Sequence, residues 1–308
     1  AFVGHGNIRL RADLLTFFRA IENAGEVLAL SRNEGALHEK RGQYTGYKAN
    51  GHASMVLGPD IDLRIFSDHW RYAYHVASRS EDGALRSSFQ FFDEFGFAVH
   101  KVYETDATEK KAWAGLLAGL IEGSPKTAPP PVQRKSRRLT LVPSLPAIDA
   151  MRVDWALLKD THQFQQMLKK HRMARLTAIQ CVGPNYSRRI AKTGVLQVLD
   201  AVASADIPIM VFLRNQGILQ IHSGPISNIV KSGPWLNIAD DRFQLHLNAE
   251  HVDSTWIVRK PTKNGDIWSM EIFDRSGNQL LLINGYRREG DDNHLLAHWN
   301  DVLWGVPK

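Results

Sequence analysis

Runs in which apolar and polar residues alternate recur along the chain, as they do in half-buried antiparallel strands. Ile61-Asp-Leu-Arg-Ile-Phe66 and Arg242-Phe-Gln-Leu-His-Leu247 are two of them. Elsewhere the period lengthens to that of an amphipathic helix, which predicts helices over Leu10–Ala24, Lys110–Ile121, Asp160–Met173 and Asn293–Leu303.

These patterns repeat. A shift of 181 residues sets Ser88-Phe-Gln-Phe-Phe-Asp-Glu-Phe-Gly96 on Ser269-Met-Glu-Ile-Phe-Asp-Arg-Ser-Gly277 without a gap. Serine, phenylalanine, aspartate and glycine coincide, and apolar meets apolar at Phe89/Met270 and Phe91/Ile272. Each stretch reads as a strand, a turn carrying Asp and Gly, and a return strand, Phe97–Tyr103 and Gln279–Asn284. A two-copy repeat is implied, each copy running helix, antiparallel meander, helix, with Leu10–Ala24 and Asp160–Met173 as the opening helices. The expected fold class is α+β, a tandem structural duplication in which each half is a large antiparallel sheet flanked by helices. The second copy is longer between its opening helix and the strand at Phe243. Its extra residues hold a predicted helix, Gly194–Ser204, and strands Ile209–Leu213 and Ile218–His222.

The segment Gly123–Arg138 has four prolines, no aromatic and no apolar periodicity, and reads as a semi-rigid linker. The expected organisation is therefore an N-terminal repeat over 1–123, a Pro/basic linker over 124–138 and a C-terminal repeat over 139–308. A net charge of +6 calls for an anionic partner. Much of that excess is local, because Lys126, Arg134, Lys135, Arg137 and Arg138 all fall near the linker. No recognition-helix or base-stacking motif accompanies the charge, so no nucleic acid is expected. The one cysteine, Cys181, excludes an intramolecular disulfide and any cysteine-rich metal site; its apolar surroundings make it a buried small hydrophobe. No run approaches the length of a membrane-spanning helix and Ala1–Leu10 lacks a signal-peptide core, so the expected location is cytoplasmic.

Walker, dinucleotide-binding, nucleophile-elbow and His-Glu-x-x-His motifs are all missing from the sequence. Histidine is abundant, at 13. His162 stands out among them by its position. Asp160 is placed to cap a helix whose apolar stripe is Phe164, Met167 and Leu168, with Gln163 three residues after the cap. His162 lies two residues before Phe164, about 200° around the helix, and so points away from the core stripe. The positive end of the helix macrodipole favours a neutral imidazole there, the form that binds metal. Spacing alone leaves two readings, a metal ligand and a solvent-exposed histidine. His171, on the margin of the stripe, reads as structural.

The paired copies, Leu63-Arg-Ile-Phe-Ser-Asp-His-Trp-Arg71, Arg86-Ser-Ser-Phe-Gln-Phe-Phe-Asp93 followed by His100-Lys-Val-Tyr103, and the Asp160-Thr-His162 helix start together resemble the haemin-degrading and haem-trafficking family of bacterial haem-uptake operons. The resemblance covers essentially the whole chain. It implies a haem cofactor (iron protoporphyrin IX) in a cleft between a C-terminal-half helix and the sheet, with His162 as the ligand to iron. It implies that Arg71, the one candidate for a catalytic role, closes over the opposite haem face. Arg175, Lys260 and Arg287 match the family's cations for the haem propionates, and Tyr286 stands beside Arg287 where the family places a glutamine. For each of these cations a solvated surface residue is the alternative.

Two functions fit one such site. An enzyme would open the haem ring and release iron, drawing electrons from a partner or a small reductant, since no nicotinamide or flavin motif is visible. A haem chaperone would use the same residues to hold haem and pass it to a separate haem oxygenase. Further partners that the resemblance implies are an inner-membrane haem ABC transporter and an electron donor.

Overall fold

A computed structural model describes residues 7–51, 53–79, 85–121, 143–263, 265–287 and 294–307. The predicted linker lies outside them.

The first copy runs β1 (Ile8–Leu10), α1 (Leu14–Ile21), β2 (Gly25–Arg32), β3 (Ala36–Gln43), β4 (Tyr47–Lys48), β5 (Ser54–Leu57), β6 (Asp62–Ile65), β7 (Tyr72–Arg79), β8 (Leu85–Phe92), β9 (Ala98–Thr108) and α2 (Lys110–Leu120). Three helices follow, α3 (Leu145–Ala156), α4 (Thr161–Lys170) and α5 (Arg175–Cys181). The second copy then repeats the first element for element. It runs β10 (Ser187–Ile190), α6 (Gly194–Ser204), β11 (Ile209–Arg214), β12 (Ile218–Gly224), β13 (Ile229–Ser232), β14 (Trp235–Ala239), β15 (Phe243–Asn248), β16 (Ser254–Lys260), β17 (Ile267–Phe273), β18 (Gln279–Gly285) and α7 (His294–Gly305).

Two expectations are corrected by this order. Leu10 belongs to a strand, and the first helix begins only at Leu14, after Asp13 caps it by accepting from the Thr16 N–H. The counterpart of α1 is α6, not the helix over Asp160–Met173. The strands over 209–213 and 218–222 are accordingly the counterparts of β2 and β3, and α3–α5 precede the second copy. The physical reason is that a cap and an apolar stripe identify a helix but not its rank in a repeat. The Asp160 signature is strong, whereas α6 starts without any side-chain cap.

The antiparallel strands form two nine-stranded sheets, β1-β7-β8-β9-β2-β3-β15-β14-β13 and β10-β16-β17-β18-β11-β12-β6-β5-β4. Each takes six strands from one copy and three from the other. Equivalent turns show the duplication at atomic detail. Asp93 Oδ1 accepts from the Phe95 and Phe97 N–H groups, and Asp274 Oδ1 from those of Ser276 and Asn278. Both turns close on a glycine with positive φ, Gly96 at 81° and Gly277 at 78°, a conformation that side chains with a Cβ rarely adopt.

The chain divides into two compact units, one of Ala1–Lys135 with Phe212–His222 and Ala239–His246, the other of Ser136–Val211, Ser223–Ile238 and Leu247–Lys308. The core of the first is aromatic, with the Phe17 ring edge-on to Phe89 and Phe91 at 5.6 and 4.7 Å. In the second, Met151, Trp155, Phe164, Met167, Leu168 and Ile179 of α3–α5 pack with Val258 and Phe273 of the strands.

Candidate functional site

Helix α4 forms as its sequence dictates. Asp160 Oδ1 accepts from the His162 backbone N–H at 2.7 Å, and Gln163 Oε1 accepts from the Lys159 N–H at 2.9 Å. Two donors at the helix start are satisfied in this way, one by the cap and one by the residue three positions on. Phe164, Met167 and Leu168 are buried. Phe164 meets Trp155 of α3 edge-on at 4.9 Å, and the Trp155 indole N–H donates to the Arg259 oxygen at 2.9 Å, tying α3 and α4 to β16. His162 is exposed on the opposite side, and no hydrogen bond to its ring is present among the described residues.

On the buried side, the strands beneath Phe164 hold a charge cluster. Glu271 of β17 is fully buried. Its carboxylate accepts from Arg175 Nε and Nη2 at 2.6 and 2.9 Å, from Lys260 Nζ at 2.6 Å, from Gln279 Nε2 at 2.7 Å and from Ser269 Oγ at 3.2 Å. Both cations lie over the Phe164 ring, Arg175 at 4.8 Å and Lys260 at 5.0 Å. Burial pushes the Glu271 carboxyl up, but the charges of Arg175 and Lys260 outweigh it and hold it at about 2. Burial also brings the Lys260 ammonium down to about 8, against the attraction of Glu271. The cluster carries a net single positive charge from two cations and one anion.

Two of the cations singled out in the sequence, Arg175 and Lys260, are thus brought together. They differ in reach, since the Arg175 side chain is 18% exposed and that of Lys260 only 5%. Tyr286 and Arg287 follow β18, half-buried, and the Tyr286 N–H donates to the Pro208 oxygen at 3.0 Å. Arg71 belongs to the other unit, exposed just before β7, with its backbone N–H donating to Phe92. Cys181 is partly rather than fully buried, at the rim of the α3–α5 core. Glu271, Ser269 and Gln279 were not singled out in the sequence. The available signal was an acidic residue within the apolar run Ser269–Phe273, where the first copy has Gln90.

A family model described as the haemin-degrading HemS.ChuX domain matches residues 1–120 and 172–303. The chain belongs to that family. Relatives within the HemS/ChuX family include the hemin transport protein HemS of Yersinia enterocolitica, 36% identical over 98% of this chain and 86% of that protein. Another is HmuS of Yersinia pestis, 36% identical over 94% and 83%. Among solved structures, the heme degrading enzyme ChuS of Escherichia coli O157:H7 superposes with a TM-score of 0.90 at 32% identity, over 99% of this chain and 88% of that one. Holo-PhuS, a heme-binding protein from Pseudomonas aeruginosa, does so with a TM-score of 0.89 at 32% identity, over 98% and 87%. The stretch between the two matched segments of the HemS/ChuX model holds the linker, α3 and α4, so His162 falls outside them.

The two copies of this HemS/ChuX chain differ at the charge cluster. In the first copy Ser88 stands where Ser269 does, and Gln90 where Glu271 does. Gln90 is buried and its amide N–H donates to Ser88 Oγ at 3.0 Å. Among the described residues no group of three or more His, Cys, Asp or Glu is placed to hold a metal ion, and no helix is long and apolar enough to cross a membrane.

Proposed function

We propose that the chain binds haem with His162 as its protein ligand to iron, and that it serves a haem-uptake system in the cytoplasm by opening the ring to release iron. The observation that carries this reading is the exposed imidazole without a ring partner in the first turn of α4, two residues from Phe164, whose ring lies against Arg175 and Lys260. A flat apolar group with an iron and two carboxylates would need a nitrogen ligand, an apolar wall and a few cations. Among the described residues His162 would supply the nitrogen, and Arg175, Lys260 and Arg287, with Tyr286 beside it, the polar edge. Bound haem supplies the redox and oxygen chemistry, while the residues of this chain bind and orient it. An inner-membrane haem ABC transporter upstream and an electron donor are the partners this role calls for.

A second reading, a haem chaperone that hands its cargo intact to a separate haem oxygenase, is favoured by one finding. A solved protein described as a degrading enzyme and one described as haem-binding resemble this chain equally well.

Titration of the purified protein with ferric haem is expected to give a stoichiometric Soret change. His162→Ala should weaken binding on the order of tenfold, about 1.4 kcal/mol, and alter the spectrum. Unchanged spectrum and affinity in that variant would remove the ligand assignment. Aerobic incubation of the complex with a reductant, with and without catalase, then separates the two readings. A ring-opened tetrapyrrole identified by mass supports the enzyme, and intact haem that a haem oxygenase withdraws supports the chaperone.

A further inference from the structure

The cation pair beside Phe164 is built around a carboxylate that has no access to solvent. Glu271 Oε2 receives Arg175 Nε and Gln279 Nε2, and its Oε1 receives Arg175 Nη2, Lys260 Nζ and Ser269 Oγ. Arg175 is therefore gripped along one edge of its guanidinium. The edge carrying Nη1 makes no hydrogen bond among the described residues, and the side chain keeps 18% of its surface open. Lys260 has no comparable opening. Its ammonium is turned inward onto Glu271 and Ser269.

We infer that Glu271 is a positioning residue, which anchors the inner edge of Arg175 so that its outer edge is presented to a carboxylate of the bound tetrapyrrole, with Lys260 contributing charge from behind. This rests on the proposed haem site and adds a division of labour within it. A planar guanidinium offers two bidentate faces, and fixing one orients the other. Without the anchor a half-buried arginine samples several rotamers, and ordering them on binding weakens recognition. The duplication points the same way. The first copy keeps the serine but has the neutral Gln90 at the position of Glu271, and Gln90 donates to that serine and holds no arginine among the described residues.

The test compares two ligands, ferric haem and its dimethyl ester, which has the same ring and iron but no free carboxylates. Wild-type protein is expected to prefer the free acid, by about tenfold for one charge-assisted contact. In Glu271→Gln the free-acid affinity should fall to that of the diester while the diester affinity stays unchanged. A merely structural role would weaken both ligands alike, and that outcome overturns the inference, as does a Glu271→Gln protein that retains the wild-type preference. Wild-type protein that binds both ligands equally overturns it too, while leaving the haem reading intact. Wild-type protein that binds neither removes both.

Glu271→Gln leaves two buried cations without their anion, so it risks failing to fold. The pair Lys260→Met with Glu271→Met removes buried opposite charges together, a change that proteins often tolerate. Measured against Lys260→Met alone, in which Glu271 still grips Arg175, the double variant should lose the remaining free-acid preference. Equal preference in the two would overturn the inference.

Discussion

Arg71 is exposed, while its backbone is pinned to β8 through the Phe92 oxygen at 2.8 Å. The resemblance of its sequence motif implies a role on bound haem. Arg71→Ala is expected to leave haem affinity within about threefold, as for a contact worth under 1 kcal/mol, but to change the iron spectrum or the rate of haem loss under reductant. Identical spectra and decay rates would count against any role at the iron. At this scale the sequence was legible where a side chain is exposed and its helix position is set by neighbours, as for His162. It was not legible where function depends on what lies beneath. Arg175 and Lys260 read as two like cations, and only the packing shows that one faces outward and the other is turned in on Glu271.

Among the elements, α4 deserves the closest test, because its start fixes the backbone of His162. Asp160 spends its side chain on the His162 N–H, and Gln163 reaches back to Lys159. Replacing Asp160 by alanine should destabilise the helix start by about 1 kcal/mol, lowering the melting temperature by about 2 °C in a chain this long. Asp160→Asn, which keeps an acceptor, should be close to neutral, and equal melting of all three proteins would show that the cap contributes nothing. The hairpins were readable in advance because Asp93-x-x-Gly96 and Asp274-x-x-Gly277 specify their own turns. Strand partners were not, because the pattern fixes that β6 and β12 are strands without naming their neighbours. In the first unit β12 pairs with β6 of the other copy, Ile218 opposite Ile65 and Gln220 opposite Leu63. Equivalent turns there hold one another: the Asn33 amide donates to the Arg214 oxygen at 3.3 Å and the Asn215 amide to the Arg32 oxygen at 3.0 Å.

For the whole molecule, the two copies differ in how they fill equivalent interior positions, and this sets the response to acid. In the first copy His100 is fully buried, its Nε2 at 2.6 Å from Tyr44 OH and its Nδ1 at 2.9 Å from Ser31 Oγ. The equivalent positions of the second copy are Leu213, Ile226 and Leu281, all buried. Burial holds the His100 imidazole at about 3, far below its ordinary 6.5. Because the unfolded chain takes up a proton in that window and the folded one does not, the stability that neutral His100 provides is complete above pH 6.5 and drains away as the pH falls toward 3. Glu271, held at about 2 against an ordinary 4.5, begins to withdraw its own contribution only below pH 4.5, and Lys260, held at about 8, changes its contribution only above that pH. Between pH 7 and pH 5 the loss from His100 alone is about 2 kcal/mol, with His75 and His246, both lowered by burial, acting in the same direction. Urea melts at the two pH values should show that loss. The triple variant Ser31→Ala, Tyr44→Phe, His100→Leu gives the first copy an apolar filling like that of the second. Its melts should shift by less than half as much, and an unchanged pH dependence would mean that the acid sensitivity of the chain lies in groups other than this buried triad.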